Sequence, residues 1–346
     1  MKLKYPTSSL LIFISVFYYY AYTITPQYVP RILIVLMVVA AALSTSIIVK
    51  HLLLKGLTRA TLRYLTFLVI IFATALLNHW PNIMLAALLS TALLQVQRDY
   101  FVKVFFYSSI LLYSAVFCLA LIGTLPMIYI GFDGYESERF GMLKYTLGFD
   151  GPNQASFSFF SILVSGMYSY GHSKKFTVIA FLSALIVGLL TGSRSGILIS
   201  LMFVVVYYLY ARKKVMRRPS FILRNLFVIL LIISSLFAYA YANNPTVNDI
   251  LSGRPLLTKQ YLDSKYVPTL FGSEEVYNKA EYRTPPVDNY FVYVLARYGI
   301  LGFAIFAYAY YLNTRKELSR RMQIIFIFTM IYGLSEAFFD ISGKSF

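Results

Sequence analysis

Residues 174 to 210 read KKFTVIAFLSALIVGLLTGSRSGILISLMFVVVYYLY, which is two long apolar runs separated by one short polar turn. Each run is close to the roughly 20 residues that an α-helix needs to cross a hydrocarbon core. The turn carries Arg194 between Gly192 and Gly196. A guanidinium beside hydrocarbon is costly and usually serves a substrate, an ion or a partner. The stretch therefore predicts two membrane-spanning helices joined by a functional turn.

The rest of the chain repeats this pattern. Its 346 residues are 59% hydrophobic and only 13% charged, with a mean hydropathy of +0.67, whereas about a quarter of a soluble domain is charged. We expect an all-α, polytopic membrane protein with about eleven transmembrane helices. The predicted spans are 8 to 23, 29 to 49, 62 to 78, 81 to 97, 104 to 130, 152 to 171, 175 to 191, 195 to 210, 221 to 242, 287 to 311 and 321 to 339.

The distribution of basic residues predicts the orientation. Twenty of the 31 lysines and arginines lie in the N-terminus and in alternate loops, accompanied only by Asp99 and Glu317. Loops rich in lysine and arginine stay in the cytoplasm. We therefore expect a multi-pass protein of the plasma (inner) membrane with a cytoplasmic N-terminus. Since the basic pI of about 9.7 reflects this topology, nucleic acid is not an expected partner.

The segments between spans indicate a single membrane domain, residues 1 to 346, with two longer external loops at 131 to 151 and 243 to 286. In the second loop, residues 258 to 266 carry Tyr261, Leu262 and Tyr266 at a spacing that fits a short amphipathic helix. The only cysteine, Cys118, lies in an apolar run and is expected to be a small buried hydrophobe.

Arg194 is the first candidate for chemistry. The flanking glycines allow close backbone approach, and Ser193 or Ser195 can cap the next helix, whose N-terminus attracts anions. A phosphate is the natural match for this combination. The alternative is an interfacial arginine that pairs with lipid headgroups or with a loop carboxylate.

Two further arginines are predicted on the same side of the membrane. Arg254 follows Ser252-Gly253, and Arg283 precedes a Pro-Pro pair. Guanidinium groups that converge on one cavity can neutralise a pyrophosphate leaving group by bidentate hydrogen bonding, which lysine does less well. Either arginine can equally be a surface residue with a structural role.

Asp288 and Asn289 stand at the outer start of the tenth span, with Arg297 farther along it. An aspartate beside a desolvated cavity can act as a general base, because burial raises the pKa of its carboxyl group. Asp288 can instead cap the helix. Arg297 is expected inside the span, where it requires a carboxylate, a phosphate or cavity water.

Other polar residues complete the candidate set. Asn153 and Gln154 open the sixth span after Pro152, and their amides suit sugar hydroxyls. Glu336 ends the last span on the outer side and is the second candidate for a base. Neither the histidines nor the acidic residues show the spacing of a metal site, and no cofactor is expected.

Five pieces of sequence, in order, resemble the superfamily of O-antigen ligases and Wzy-type polysaccharide polymerases. They are Gly151-Pro152-Asn153-Gln154, Thr191-Gly192-Ser193-Arg194-Ser195-Gly196, Ser252-Gly253-Arg254 followed by Phe271-Gly272, Asp288-Asn289-Tyr290, and Tyr298-Gly299-Ile300-Leu301-Gly302. The resemblance covers residues 150 to 302, while residues 1 to 149 contribute only the multispan pattern. It implies a metal-independent membrane glycosyltransferase of the GT-C-like type that uses undecaprenyl-pyrophosphate-linked saccharides on the external face.

The ligase branch of that superfamily typically contributes a histidine from the late external loop. This chain has no histidine after His172, and Asp288 stands at the corresponding position. The departure favours a polymerase of capsule, exopolysaccharide or O-antigen repeat units, with Asp288, Arg194 and Arg254 as catalytic residues. Substrate-binding roles are expected for Asn153, Gln154, Arg283, Asn289, Arg297 and Glu336.

Two alternatives remain open at the level of sequence: a ligase-like glycan transferase and a lipid-linked saccharide transporter or flippase. Because nearly all polar candidates lie on the predicted outer side, one-sided chemistry is favoured over transport. The expected partners are the undecaprenyl-pyrophosphate-linked oligosaccharide, membrane lipids and other polysaccharide-assembly proteins.

Overall fold

A computed structural model describes the chain at residues 6–24, 30–55, 69, 88–89, 92, 96–129, 138–139, 142–211, 216–251, 253–263, 269–272, 289–315 and 317–334. Helices and two pairs of two-residue strands are the regular elements of these residues. The chain divides into two compact units, Met1–Ile197 and Leu198–Phe346. The expected all-α class is confirmed.

The described residues of the first unit form five complete helices and the start of a sixth. They are α1 (Pro6–Thr23), α2 (Pro30–Lys55), α3 (Arg98–Leu121), α4 (Pro152–Tyr170), α5 (Lys174–Thr191) and α6 (Arg194–Tyr210). Strands β1 (Glu138–Arg139) and β2 (Met142–Leu143) pair antiparallel in the loop between α3 and α4. Helix α1 packs against α2 and α3, and α4 packs against α3 and α5.

Aromatic side chains fill the core of the first unit. The ring of Phe149, which precedes α4, lies 5.2 Å from that of Tyr113 and 5.8 Å from that of Tyr20, measured between centroids. At the other end of the helices, the hydroxyl of Tyr168 donates to Asp99 Oδ1 at 2.9 Å. The Phe149 contacts hold the beginning of α4 against α1 and α3, and the Tyr168 hydrogen bond holds its end against the start of α3.

The described residues of the second unit form the remainder of α6 and six further helices. They are α7 (Phe221–Arg224), α8 (Leu226–Tyr241), α9 (Pro245–Ile250), α10 (Arg254–Leu262), α11 (Tyr290–Thr314) and α12 (Arg320–Gly333). Strands β3 (Met216–Arg217) and β4 (Leu318–Ser319) pair antiparallel. The ring of Phe227 on α8 is central, since its centroid lies 5.0 Å from that of Phe303 and 5.1 Å from that of Phe291.

Helix α11 is interrupted at Gly299, whose φ of 68° and ψ of −171° are not helical. Only glycine adopts such a backbone conformation without strain. The residues on either side continue as helix, so α11 consists of two helical halves. A membrane helix with a break of this kind needs other partners for the backbone groups that the break releases.

Three described helices, α3, α5 and α11, are long and apolar enough to cross a membrane, and α1, α2, α6 and α8 contain shorter apolar stretches. Helices occur at every predicted span except 62 to 78 and 81 to 97, which lie almost entirely outside the described residues. The total of eleven spans stays a prediction.

Two expectations from the sequence are wrong in detail. The helix predicted at 104 to 130 runs from Arg98 to Leu121, because charged residues are tolerated in its first turn and Gly123, with a φ of 78°, ends it. Cys118 is exposed on α3 rather than buried. The apolar side chains of a membrane helix need not face the protein interior, since lipid accommodates them equally well.

Candidate functional site

The first candidate segment is the turn that begins α4. Gly151 is the N-cap residue with an extended backbone, and Pro152 occupies the first helical turn, as expected from the sequence. Gln154 folds back over this turn, since a Cβ added to Gly151 would lie 2.9 Å from Gln154 Oε1. Asn153 and Gln154 are both half-buried. Their amides therefore stand at a helix N-terminus, where backbone donors also point outward.

The second candidate segment is the turn between α5 and α6. Gly192 ends α5 in the left-handed region with a φ of 60°. The hydroxyl oxygen of Ser193 accepts from the Gly196 amide at 3.2 Å, which confirms the expectation that a serine caps α6. Arg194, the first residue of α6, is exposed. Because Ser193 is only 3% exposed, the cap fixes the backbone from which Arg194 extends.

These two turns meet in space although about 40 residues separate them in the chain. A Cβ added to Gly196 would overlap Ser156 Oγ and would lie 2.8 Å from Ser193 Oγ. Only glycine therefore allows the first turns of α4 and α6 to approach this closely. The contact brings the segment of Asn153 and Gln154 beside the segment of Arg194.

The loop before α4 is attached to the same end of the first unit. The Tyr145 amide donates at 3.0 Å to the carbonyl of Leu190, two residues before Gly192, and the Tyr129 amide donates to the Lys144 carbonyl at 2.9 Å. Lys144 Nζ lies 5.9 Å from the centroid of the Tyr129 ring. Sequence reasoning did not select Lys144, because only the fold relates this loop to the Gly192 turn.

The electrostatics of this end favour an anion. Two helix N-termini, those of α4 and α6, each carry partial positive charge. Arg194 adds a full charge within the first turn of α6, and Lys144 adds another from the loop anchored beside it. Helix N-termini combined with guanidinium groups are a common way to hold phosphate.

Arg254 lies in the second unit at the start of α10. Its turn is organised by Asn248, whose Oδ1 accepts from the Leu256 amide at 3.2 Å and whose Nδ2 donates to the Ala242 carbonyl at 2.6 Å. Gly253, the N-cap residue, has a φ of 75°. The short helix therefore begins at Arg254 and ends at Leu262, earlier than the predicted range of 258 to 266. Tyr261 is buried, whereas Tyr266 lies outside the described residues.

Asn289 is the N-cap residue of α11. Its Oδ1 accepts from the amides of Phe291 at 3.0 Å and Val292 at 3.3 Å. The side chain is only 6% exposed. Because its oxygen accepts both helix amides, its NH₂ group is the part that can donate to a ligand. The capping role that the sequence left open for Asp288 is filled by its neighbour.

Arg297 is 8% exposed and lies two residues before the break in α11. The segment from Thr269 to Gly272 packs against this break. The Ile300 amide donates to the Thr269 carbonyl at 2.9 Å, and the Leu301 amide donates to the Leu270 carbonyl at 3.1 Å. The expectation that Arg297 is inside the helix is confirmed, and the break that accompanies it was not predicted.

The predicted site residues thus fall into three groups. Asn153, Gln154 and Arg194 occupy the adjoining turns of the first unit, and Arg254, Asn289 and Arg297 belong to the second unit. Arg283, Asp288 and Glu336 lie outside the described residues. In the part of the chain that is described, no three His, Cys, Asp or Glu residues are grouped so as to hold a metal ion.

No family model matches the chain, and neither a curated protein nor a solved structure matches it.

Proposed function

We propose that this chain is a multi-pass membrane glycosyltransferase that polymerises undecaprenyl-pyrophosphate-linked oligosaccharide repeat units on the outer face of the plasma membrane. The proposal includes about eleven spans and a GT-C-like fold. The observation that carries it is the contact between the first turns of α4 and α6, which juxtaposes Asn153 and Gln154 with Arg194. These segments are two of the five on which the resemblance to the polymerase superfamily rests.

The reaction requires charge stabilisation at the leaving group. An acceptor sugar hydroxyl attacks the anomeric carbon of the donor, a new C–O bond forms, and the bond from that carbon to the pyrophosphate oxygen breaks. The bonding electrons leave with undecaprenyl pyrophosphate, which gains negative charge. Preorganised donors aimed at this charge lower the barrier because they need no rearrangement during the reaction.

In this proposal the Arg194 guanidinium and the N-termini of α4 and α6 hold the pyrophosphate, with Arg254 as the second guanidinium and Arg283 as a third. Asn153 and Gln154 contact sugar hydroxyls through their amides. Asp288 takes the proton from the acceptor hydroxyl, and Glu336 is the alternative base. Asn289 and Arg297 contact the substrate from α11. Their motion is limited, because Asn289 caps the helix and both side chains are buried.

The interruption of α11 favours a second candidate, a transporter or flippase of lipid-linked saccharides. Discontinuous membrane helices often form the substrate sites of secondary transporters, because the half-helix ends present free backbone groups. In α11, however, the amides of Ile300 and Leu301 already donate to the carbonyls of Thr269 and Leu270. We therefore rank the transporter second.

The deciding experiment is a clean deletion of the coding sequence, followed by analysis of the glycan on the lipid carrier. A polymerase defect leaves carriers with one repeat unit on the outer face. A ligase defect instead leaves long unattached polymer, and a flippase defect leaves single repeats that an impermeant periodate reagent cannot oxidise in intact cells. Only the first pattern, reversed by wild-type protein and not by an Arg194→Ala variant of equal abundance, supports the proposal.

A further inference from the structure

The second unit carries a basic surface formed by two segments of the chain. We define this basic surface as the described residues 216–224 and 317–321. The two segments contain five arginines, with Glu317 as their single carboxylate. The positive-inside rule accounts for a surplus of positive charge in such loops, but it does not account for the way these two loops are joined.

The two segments are joined by specific hydrogen bonds. Met216 pairs with Ser319 and Arg217 with Leu318 in the β3–β4 ladder. In addition, Arg321 Nε donates to the Ala211 carbonyl at 3.3 Å. These hydrogen bonds hold the two segments together and concentrate their charge on one surface.

Arg224 gives this surface a buried donor. Its Nε is buried and has no hydrogen-bond partner among the described residues. The backbone beside it is held by the Tyr310 hydroxyl, which donates to the carbonyl of the adjacent Leu223 at 2.9 Å. A buried guanidinium donor without an acceptor is unfavourable. An anionic oxygen from outside the chain would supply the acceptor that Arg224 Nε lacks.

Apolar side chains adjoin the same arginine. Phe221 is 72% exposed and Ile222 is 62% exposed, and both lie on the single turn of α7 between Arg218 and Arg224. Arg218 is itself exposed. A free phosphate makes no favourable contact with two neighbouring apolar side chains, whereas a phospholipid presents an anionic headgroup and acyl chains together.

We propose that the basic surface binds an anionic phospholipid, with its phosphate on Arg224 and Arg218 and its acyl chains against Phe221 and Ile222. Lipid binding at this surface does not depend on the proposed glycosyltransferase chemistry. Its position fits the cytoplasmic leaflet, because the basic loops are predicted to face the cytoplasm. The bound lipid would neutralise part of the charge that the β3–β4 pairing concentrates.

The test uses the full-length protein in detergent, titrated with dioleoylphosphatidylglycerol or dioleoylphosphatidylcholine, with bound lipid measured by native mass spectrometry. Arg218→Gln combined with Arg224→Gln should weaken phosphatidylglycerol binding about 30-fold, at the usual contribution of a basic residue near an anionic lipid. The matched control is Lys174→Gln with Lys175→Gln, which removes equal charge from two exposed positions at the start of α5. It should leave the affinity nearly unchanged.

Two further measurements guard against a folding defect and identify the ligand class. Phe221→Ala with Ile222→Ala alters only exposed side chains and should also weaken phosphatidylglycerol binding. Phosphatidylglycerol should raise the melting temperature of the wild-type protein more than phosphatidylcholine does.

Equal binding of both lipids, or equal loss in the lysine control, would overturn a specific site. Full displacement of the lipid by inorganic phosphate at the same concentration, or unchanged binding in the Phe221 and Ile222 variant, would assign the surface to a simple anion. Preferential binding of polyglutamate over phosphatidylglycerol would assign it to an acidic protein. Each of these results contradicts the lipid proposal.

Discussion

Gly272 packs directly against Gly299, and both have a φ in the left-handed region, 78° and 68° respectively. A Cβ added to Gly299 would overlap Gly272 N, and one added to Gly272 would overlap the Arg297 carbonyl oxygen. The break in α11 and the segment that covers it therefore require each other. This contact joins two of the sequence pieces that carry the family resemblance.

Gly299→Ala should destabilise the protein more than the replacement of another glycine that has a positive φ. The positive φ costs about 1–3 kcal/mol for a residue with a Cβ, and the overlap with the 269–272 segment adds about 1–3 kcal/mol. Gly123 is the control, since its φ is 78° and nothing lies within 4 Å of an added Cβ. Thermal unfolding in detergent measures both variants. Equal destabilisation by Gly123→Ala and Gly299→Ala would show that the contact contributes nothing.

Gly196→Ala should disrupt the meeting of α4 and α6. The new methyl group overlaps Ser156 Oγ, and we expect a loss of about 1–3 kcal/mol in unfolding free energy. Ser156→Ala removes that oxygen, so the double variant should recover part of the loss. A double-mutant cycle on the free energy of unfolding measures the coupling. If the losses of the two single variants simply add in the double variant, the Gly196 and Ser156 positions are not coupled and the predicted overlap does not occur.

Arg194→Lys and Arg254→Lys should each lower polymer synthesis about tenfold to a hundredfold, because lysine keeps the charge but lacks the planar fork for a pyrophosphate. The measurement is polymer length and amount at matched protein abundance. Arg98→Lys is the control, since Arg98 is an exposed residue at the start of α3, on the predicted cytoplasmic side. Normal polymer in both lysine variants would remove pyrophosphate binding from these arginines.

Asp288→Asn should slow turnover about 10²- to 10⁴-fold if the residue is the general base, with a smaller effect on donor binding. The cap of α11 should survive, since Asn289 supplies it. Asn289→Ala provides the contrast, because it should cost about 0.5–2 kcal/mol of stability through loss of the cap. Wild-type turnover by purified Asp288→Asn would make Glu336 the next base to test.

Single cysteines introduced as Ser273→Cys and Lys213→Cys in a Cys118→Ala background should differ in labelling. An impermeant thiol reagent applied to intact cells should react at position 273, in the predicted external loop, and not at position 213, in a basic loop. The background replacement is necessary because Cys118 is itself exposed. The reverse pattern would invert the predicted topology and place the candidate turns in the cytoplasm.

The sequence predicts helix positions well here because long apolar runs bounded by charge leave few other structures. The runs at 175 to 191 and 195 to 210 correspond closely to α5 and α6. The start of α3 was missed because Arg98 and Asp99 resemble a loop, although the first turn of a helix tolerates them. Local signals such as Ser193 as a cap were also readable, since a cap depends on only three or four neighbouring residues.

The contacts of the candidate site that the sequence did not predict join residues far apart in the chain. Tyr298-Gly299-Ile300 reads as continuous apolar helix, and only the packing of the 269–272 segment explains the break. Likewise, nothing near Gly196 indicates that Ser156 will touch it. Such contacts depend on which helices are neighbours and which of their faces meet. Apolar periodicity does not predict this for membrane helices, because the faces that contact lipid are apolar as well.

Asn248 holds the residues around Arg254 in one conformation. Its one side chain bonds to the end of α8 through Ala242 and to the start of α10 through Leu256. The residues that carry Arg254 therefore lose their conformational freedom when the protein folds, before any ligand arrives. A ligand that reaches this arginine does not have to order the loop, and the entropy cost of its binding is lower by that amount.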